Sequence, residues 1–589
     1  MLHLWLGVTP ADAAHPPPGG HWPPARGAAL FDARIRERRY VVYAWPPDAA
    51  SRALGATPSA VEVRLGPLSP HAAAARIVST RLEIDRRTGA LTVTMPATCT
   101  APLFHAGDQS GALWLASDPR WLPVRQRHLD PRGLYALLQF GAIPAPYTLW
   151  KAVRRLAPGS RTRFAWLDDA RRAPRTTTWS APLPASATRP HDLPEGARVG
   201  YVGERLDAVL TALCPDRAPV LLFSGGVDSG LLAARCARLG WRETLLLCYR
   251  MDDTDPQPQW AAEMARRLGL SLRIVPARAP DWARMLTSLS SDYPEPVGDF
   301  GVPAAYDLMR QLERIAGGRC TVLDGSGADA LFRTFPALGR WRRLYRLPPP
   351  LRCAAGGLWR AMEGWHRTAR VVRWLGAARI SCSLPYELGA MVAENALAGI
   401  AYSASQDARR AVETAFRSAL QLALPALPDA LAPRALDLLH VVCALTAQKN
   451  APLVRGSKLD LIHPFLHPDL VGAGLAWGRD GGRPRVSKAI LKQLLARDLP
   501  GALIERPKRG MTPEMRTMLR DPGVGRWYQR AFETAPGDLA GRIDLPRLQR
   551  MLQRAVAGAA LPHGSYNLLW TAAITARWLA DARHAGDVA

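Results

Sequence analysis

The sequence predicts an α/β protein with a β-rich first third and a later region built on a doubly wound parallel sheet. The first third consists of short apolar runs broken by Pro and Gly, such as RYVVYAWP, VEVRLG, ALTVTMP and ALWLASDPRWLPV, which have strand composition. Further on, apolar strands alternate with helical stretches: PVLLF, LLAARCARLG, TLLLCYR, QWAAEMARRLGL and LRIVP. Such alternation predicts parallel strands joined by helices. The first of these strands also runs straight into a glycine turn, the usual position of a ligand loop in such sheets.

At 589 residues the chain is longer than one typical domain, so more than one core is expected. A hydrophobic fraction of 48%, only 21% charged residues and 19 tryptophans supply ample surface to bury. The segment 181–196, rich in Pro, Ala and Ser, reads as a linker between domains at 1–180 and 197–589. Before it, Asp130 is placed to cap a helix that begins with Pro131. From Leu331 onward strand signals thin out and helices dominate, with Trp341, Trp359, Trp365 and Trp374 suited either to a core or to a peptide-gripping surface.

The net charge of +26 comes from arginines scattered through every segment, without a compact basic run interleaved with aromatics. No nucleic-acid partner is therefore expected, although the field favours anionic substrates. Eight cysteines lack the C-x-x-C pairs of zinc sites and fit a reducing cytoplasm. The N-terminus lacks the pattern of a cleaved signal, and no uninterrupted apolar stretch suggests a membrane span.

The chemistry concentrates at Ser224-Gly225-Gly226-Val227-Asp228-Ser229, between a strand and a helix. Glycines let backbone N–H groups approach phosphate oxygens, and serine hydroxyls and a helix N-terminus add donors and positive potential. No lysine follows in the Walker A position. An aspartate in an anion site needs a cation beside it, so Asp228 reads as a magnesium ligand. Asp329, after the second strand-to-glycine turn Leu323-Asp324-Gly325-Ser326-Gly327, is placed to supply another.

These residues resemble the asparagine synthetase superfamily, with its SGGxDS loop and its later G-x-G-x-D-x-L-F element, here Gly325 to Phe332. Tyr293 to Pro303, His463 to Val471, Ser487-Lys488, and Ile504 to Met511 are similar to further family segments, and the likeness reaches back to Leu115 to Pro119 and Leu156 to Gly159. The resemblance implies an Ntn-type glutaminase-like β-sandwich followed by a PP-loop ATP-pyrophosphatase domain with a parallel sheet and added helices. Amidotransferring members use a cysteine after the initiator methionine. Here that position is Leu2, so the first domain is expected to be inactive as a glutaminase.

An amine from elsewhere points to the ring-closing branches, most of all the lasso-peptide macrolactam synthetases. The resemblance then implies ATP and Mg2+ as cofactors, a leader-processed precursor peptide as substrate and a leader peptidase of the same pathway as partner. Lys508 would stabilise the reacting centre. Gly325 and Asp299 would line the nucleotide site, with Leu247, Tyr249 and Met251 near the adenine. Ser326 and Ala330 depart from the residues usual in asparagine and β-lactam synthetases, which leaves the general base open. The alternatives are a β-lactam-type small-molecule synthetase, an ammonia-dependent asparagine synthetase, or an inactive scaffold.

Overall fold

The computed structural model describes residues 3–10, 31–45, 54–65, 79–124, 126–166, 172–183, 193–214, 218–277, 282–361, 378, 381–382, 384–394, 404–450, 457–477, 487–506, 515–561 and 563–587. The first twelve strands are β1 (His3–Pro10), β2 (Phe31–Ile35), β3 (Arg38–Trp45), β4 (Leu54–Ala56), β5 (Ala60–Leu65), β6 (Thr80–Asp85), β7 (Leu91–Met95), β8 (Phe104–Gly107), β9 (Leu113–Ala116), β10 (Arg154–Arg155), β11 (Ser160–Ala165) and β12 (Arg175–Ser180). They form two six-stranded antiparallel sheets, ordered β10-β8-β9-β1-β3-β2 and β12-β11-β7-β6-β5-β4. Strands β5 and β7 bury every second residue, as strands with one solvated face must. Val61, Val63, Leu82, Ile84 and Val93 of one sheet meet Leu4, Leu6 and Val8 of the other in a shared core. This is the sandwich expected of the first third.

The remainder is built on a five-stranded sheet of β13 (Val220–Leu222), β14 (Leu245–Arg250), β15 (Ser271–Pro276), β16 (Cys320–Leu323) and β17 (Leu459–Ile462). Its order is β15-β14-β13-β16-β17, and every pair is parallel. The sequence carries little sign of β17, because Leu-Asp-Leu-Ile is too short to show a period and stands among helices. The described helices include α1 (Pro131–Phe140), α2 (Glu195–Leu213), α3 (Val227–Arg238), α4 (Gln257–Leu268), α5 (Val302–Ala316), α6 (Ala328–Phe332), α7 (Gln406–Ala423) and α8 (His563–Asp587). Asp130 caps α1 as its spacing predicts, accepting from the Arg132 N–H at 2.9 Å. Helix α4 buries Ala261, Met264, Ala265 and Leu268, one stripe at helical spacing.

The two halves share a core rather than merely touching. Trp5, Phe104 and Trp150 of the sandwich belong to one apolar cluster with Val220, Leu247, Trp570 and Trp578. Arg120 donates to the Ser290 and Ser291 carbonyls at 3.0 and 2.8 Å, and Arg155 pairs with Glu295. Of the expected linker at 181–196, residues 184–192 fall outside the described residues, and Glu195 and Gly196 already belong to the first turn of α2.

Among the described residues one helical segment, Asp429–Lys449, is long and apolar enough to cross a membrane, but 78% of its most apolar window is buried inside the protein. Its second half, Asp437–Thr446, is wound as a π-helix, a form that recurs at functional sites. A tighter turn, Ala447–Lys449, follows it and leads to Asn450, whose side-chain amide donates to Asp324 just after β16. Of the four tryptophans singled out, Trp341 is packed with Leu344, Ala355 and Ala378 as core. Trp365, Trp374 and the side chain of Trp359 lie outside the described residues.

Candidate active site

The strand order reverses between β13 and β16: the chain winds outward from β13 to β15, then returns to the other side for β16 and β17. At such a switch point the loops after adjacent strands part and leave a crevice. The loops that follow β13 and β16 are the two glycine turns.

The first loop is held open by its own serines. Ser229 Oγ accepts from the Ser224 N–H at 3.2 Å, and Ser224 Oγ accepts from the Gly226 N–H at 3.3 Å. Gly225 has φ +67°, and a Cβ there would stand 3.1 Å from the Ala261 backbone nitrogen, so the turn requires glycine. Helix α3 then begins at Val227 with Gly226 as its N-cap and no side chain capping it. Its first-turn N–H groups are thereby available to an anion.

The second loop closes against the first. A Cβ on Gly325 would lie 3.3 Å from Asp228 Cβ and 3.5 Å from the Ser229 nitrogen. Gly327, at φ +105°, has Leu466 and Phe465 packed on it and starts the short helix α6, which carries Asp329 in its first turn.

The structure brings Asp228 and Asp329 to a single point, and the group at that point is Lys488. Its Nζ lies 2.6 and 2.5 Å from the two Asp228 oxygens and 2.8 Å from Asp329 Oδ1. Lys488 is itself in the left-handed region, at φ +60°, and its N–H donates to the Phe332 carbonyl at 3.0 Å. That conformation is uncommon for a lysine and marks a position held by its surroundings. Burial alone lowers the ammonium pKa, but the two carboxylates outweigh it and hold the pKa above its ordinary value. In the sequence Lys488 belongs only to a family-like segment, and nothing local announces that it meets a residue 260 positions away.

The donor set fits magnesium. Two carboxylates that reach one ammonium also reach one cation position, and Mg2+ is commonly held by one or two carboxylates together with substrate phosphates. Among the described residues no group of three His, Cys, Asp or Glu side chains forms an all-protein cage. The remaining oxygens would belong to a nucleotide.

The other expected residues are placed as follows. Leu247 is fully buried in the core, so its side chain packs there rather than on a ligand. Tyr249 is buried, and its hydroxyl donates to Asp307 at 2.8 Å. The Met251 N–H donates to Asp255 Oδ2 at 3.1 Å. Asp299 accepts from the Gly301 N–H at 2.7 Å and pairs with Lys449 Nζ at 2.8 Å. Lys508 lies outside the described residues. Missed altogether was a buried polar group under the second loop, formed by Asp324, Asn450 and His463.

A comparison with protein-family models matches residues 205–580 to asparagine synthase. A comparison with curated proteins gives no match. The matched span takes in more than half of the chain, including the whole parallel sheet, both glycine loops and Lys488. A match of that extent makes this chain a member of the asparagine synthase family, a family of ATP-dependent amide ligases.

Proposed function

We propose that the protein adenylates an Asp or Glu side-chain carboxylate of a ribosomal peptide and closes a macrolactam with the peptide's N-terminal amine, releasing AMP and pyrophosphate, as lasso-peptide cyclases do. The observation that carries this reading is the convergence of Asp228 and Asp329 on one cation position beside the Ser224–Ser229 loop. Asp228 and Asp329 would hold a magnesium ion beside the loop that cradles the phosphates, and the family's amide-ligase chemistry makes pyrophosphate the leaving group of this reading. Magnesium, when bound with ATP, supplies charge neutralisation for that leaving group. Ser224, Ser229 and the first N–H groups of α3 hold the phosphates. Lys488, released from the carboxylates, follows the charge as it moves onto pyrophosphate. Lys508 is assigned to the reacting phosphorus by family resemblance.

Glutamine is disfavoured as amine source. Cys99 is the one cysteine among residues 1–180; it is buried, and its thiol donates to the Ala101 carbonyl at 3.1 Å. An α-amine, with an ordinary pKa near 8, is already partly neutral at pH 7 and needs chiefly to be positioned. The partners of this reading are a leader-processed precursor peptide and the leader peptidase of its pathway, in the cytoplasm, with no nucleic acid involved.

The test uses synthetic peptides, each with a free N-terminal amine and one internal Asp or Glu labelled with heavy oxygen in its side chain. The expected result is lactam, AMP and pyrophosphate in equal amounts, with label in the AMP. Release of ADP and phosphate would overturn adenylation. Turnover with free aspartate and ammonia but with no peptide would favour an ammonia-dependent asparagine synthetase.

A further inference from the structure

At the second glycine loop lies a set of polar side chains to which the phosphate-binding reading above gives no role. Asp324 follows β16, and its Oδ1 accepts hydrogen bonds from the Ser326 N–H and the Ser326 hydroxyl, each at 3.0 Å. Its Oδ2 accepts from Asn450 Nδ2 at 3.3 Å and lies 3.6 Å from His463 Nδ1. His463 follows β17, the strand beside β16, and its side chain is 5% exposed. Neither ring nitrogen of His463, nor Asn450 Oδ1, has a hydrogen-bond partner among the described residues. A buried polar atom left without a partner is destabilising. An apolar residue at 463 would fill the same space without that cost, so packing does not account for the histidine.

The geometry points to Ser326 as the group that takes the proton of the attacking amine, with Asp324 and His463 as positioning residues that draw it inward; this assignment rests on the amide-forming reading above. Gly325 sets the serine beside the phosphate loop, since a Cβ there would lie 3.3 Å from Asp228 Cβ. Because the Ser326 hydroxyl donates to Asp324, its acceptor capacity is left for an amine N–H. As the C–N bond forms, the nitrogen loses one proton to Ser326 Oγ, and the serine's own proton passes to Asp324 Oδ1. The C–O bond to AMP breaks, and its electron pair leaves on the phosphate oxygen.

The electrostatics favour this direction of transfer. A carboxylate and a neutral imidazole together carry a single negative charge before the step and none after it; the partial burial of Asp324 and the burial of His463 favour the uncharged state, against the Ser326 and Asn450 donors that favour the carboxylate. Burial keeps the His463 imidazole neutral, lowering its pKa against the pull of Asp324. It therefore stands ready to accept from a protonated Asp324. The 3.6 Å separation is longer than a hydrogen bond, and contacts of this kind tighten when substrate fills the site.

The experiment measures ATP–pyrophosphate exchange and lactam formation side by side with the synthetic peptides above, for wild type, Asp324→Asn, Ser326→Ala and His463→Gln. Hydroxylamine serves as a second acceptor, because it is weakly basic and captures an acyl-adenylate without needing a base. The ratio of lactam to exchange is expected to fall about a hundredfold in Asp324→Asn. It should fall in the same direction in Ser326→Ala and His463→Gln, while hydroxamate formation keeps pace with exchange in all three. If exchange, hydroxamate and lactam decline together, the residues are merely structural and the assignment is overturned. Ser326→Ala removes only a partly exposed hydroxyl, so it decides the matter even if Asp324→Asn fails to fold. Absence of exchange in the wild type would instead overturn the adenylation reading itself.

Discussion

The two glycine loops sit side by side at the ends of adjacent strands, yet they are built on different principles. In the loop after β13 the hydrogen bonds run between neighbours in sequence, Ser224 with Ser229 and Gly226 with Ser224, and a glycine at φ +67° sets the turn. In the loop after β16 the key partners come from far away: Asp324 meets Asn450 and His463, and Asp329 meets Lys488. The first loop is a local binding device. The second is a junction where the ends of β16 and β17, Asn450 after the Ala447–Lys449 turn, and the Lys488 turn converge. A phosphate cradle needs only closely spaced N–H groups, whereas proton transfer needs side chains of different acidity, which no short segment supplies in the right geometry.

The comparison is tested most severely at Asp228, where the two loops meet through Lys488. Asp228→Asn should lower AMP formation about a thousandfold, roughly the effect of removing one preorganised charge from a dry site. A value close to wild type would show that the carboxylate is not a cation ligand. Next in size, Lys488→Met leaves Asp228 and Asp329 facing each other without their ammonium. Magnesium should then stabilise the variant more than the wild type, by about 3 kcal/mol at a hundredfold excess over its Kd, read from melting curves in magnesium and in chelator. Equal shifts in both proteins would place the cation elsewhere.

Smaller effects separate local from distant construction. Gly225→Ala should lose about 2 kcal/mol of stability and raise the KM for ATP, because positive φ and the Ala261 backbone both oppose a side chain. Gly226→Ala, whose Cβ would meet only Ser224 Oγ at 3.2 Å, should lose less. If the two variants melt together, the turn is more plastic than its geometry implies.

The smallest effect concerns acid. His463 is held neutral in the folded state, with its pKa lowered from the ordinary 6.5 chiefly by burial, whereas the unfolded chain protonates it at that value. Its contribution is therefore present above pH 6.5 and is lost as the pH falls below it, at about 1 kcal/mol per pH unit. His463→Gln should flatten this part of the stability profile. The buried His105 and His440, each with a pKa lowered to about 4 by burial, act in the same direction in both proteins and so cancel in the comparison.

Much of the architecture was legible in the residues. Alternating strands and helices announced β13 to β16, and the Asp130-Pro131 pair announced α1, because both depend on spacing within a few residues. Strand β17 was not legible, since four residues carry no period, and the buried tryptophan at 341 reads the same in a core as in a binding surface. Leu247 and Tyr249 were recognisable as the strand that borders the crevice. Only packing reveals that Leu247 turns its side chain into the core and that Tyr249 spends its hydroxyl on Asp307.

The glycine turn Ser224 to Ser229, the reading of Asp228 together with a second carboxylate at Asp329, and the likeness to the family were all open to inspection in the residues alone. These features are written in contiguous residues, where glycine conformations and helix starts obey local sterics. Only the folded chain shows that Lys488 lies between the two carboxylates and that His463 and Asn450 both face Asp324 Oδ2. Those contacts join residues 260 and 126 positions apart in the cases of Lys488 with Asp228 and Asn450 with Asp324. Their meeting follows from the order in which five parallel strands pack, and that order depends on the burial of whole elements rather than on any one segment.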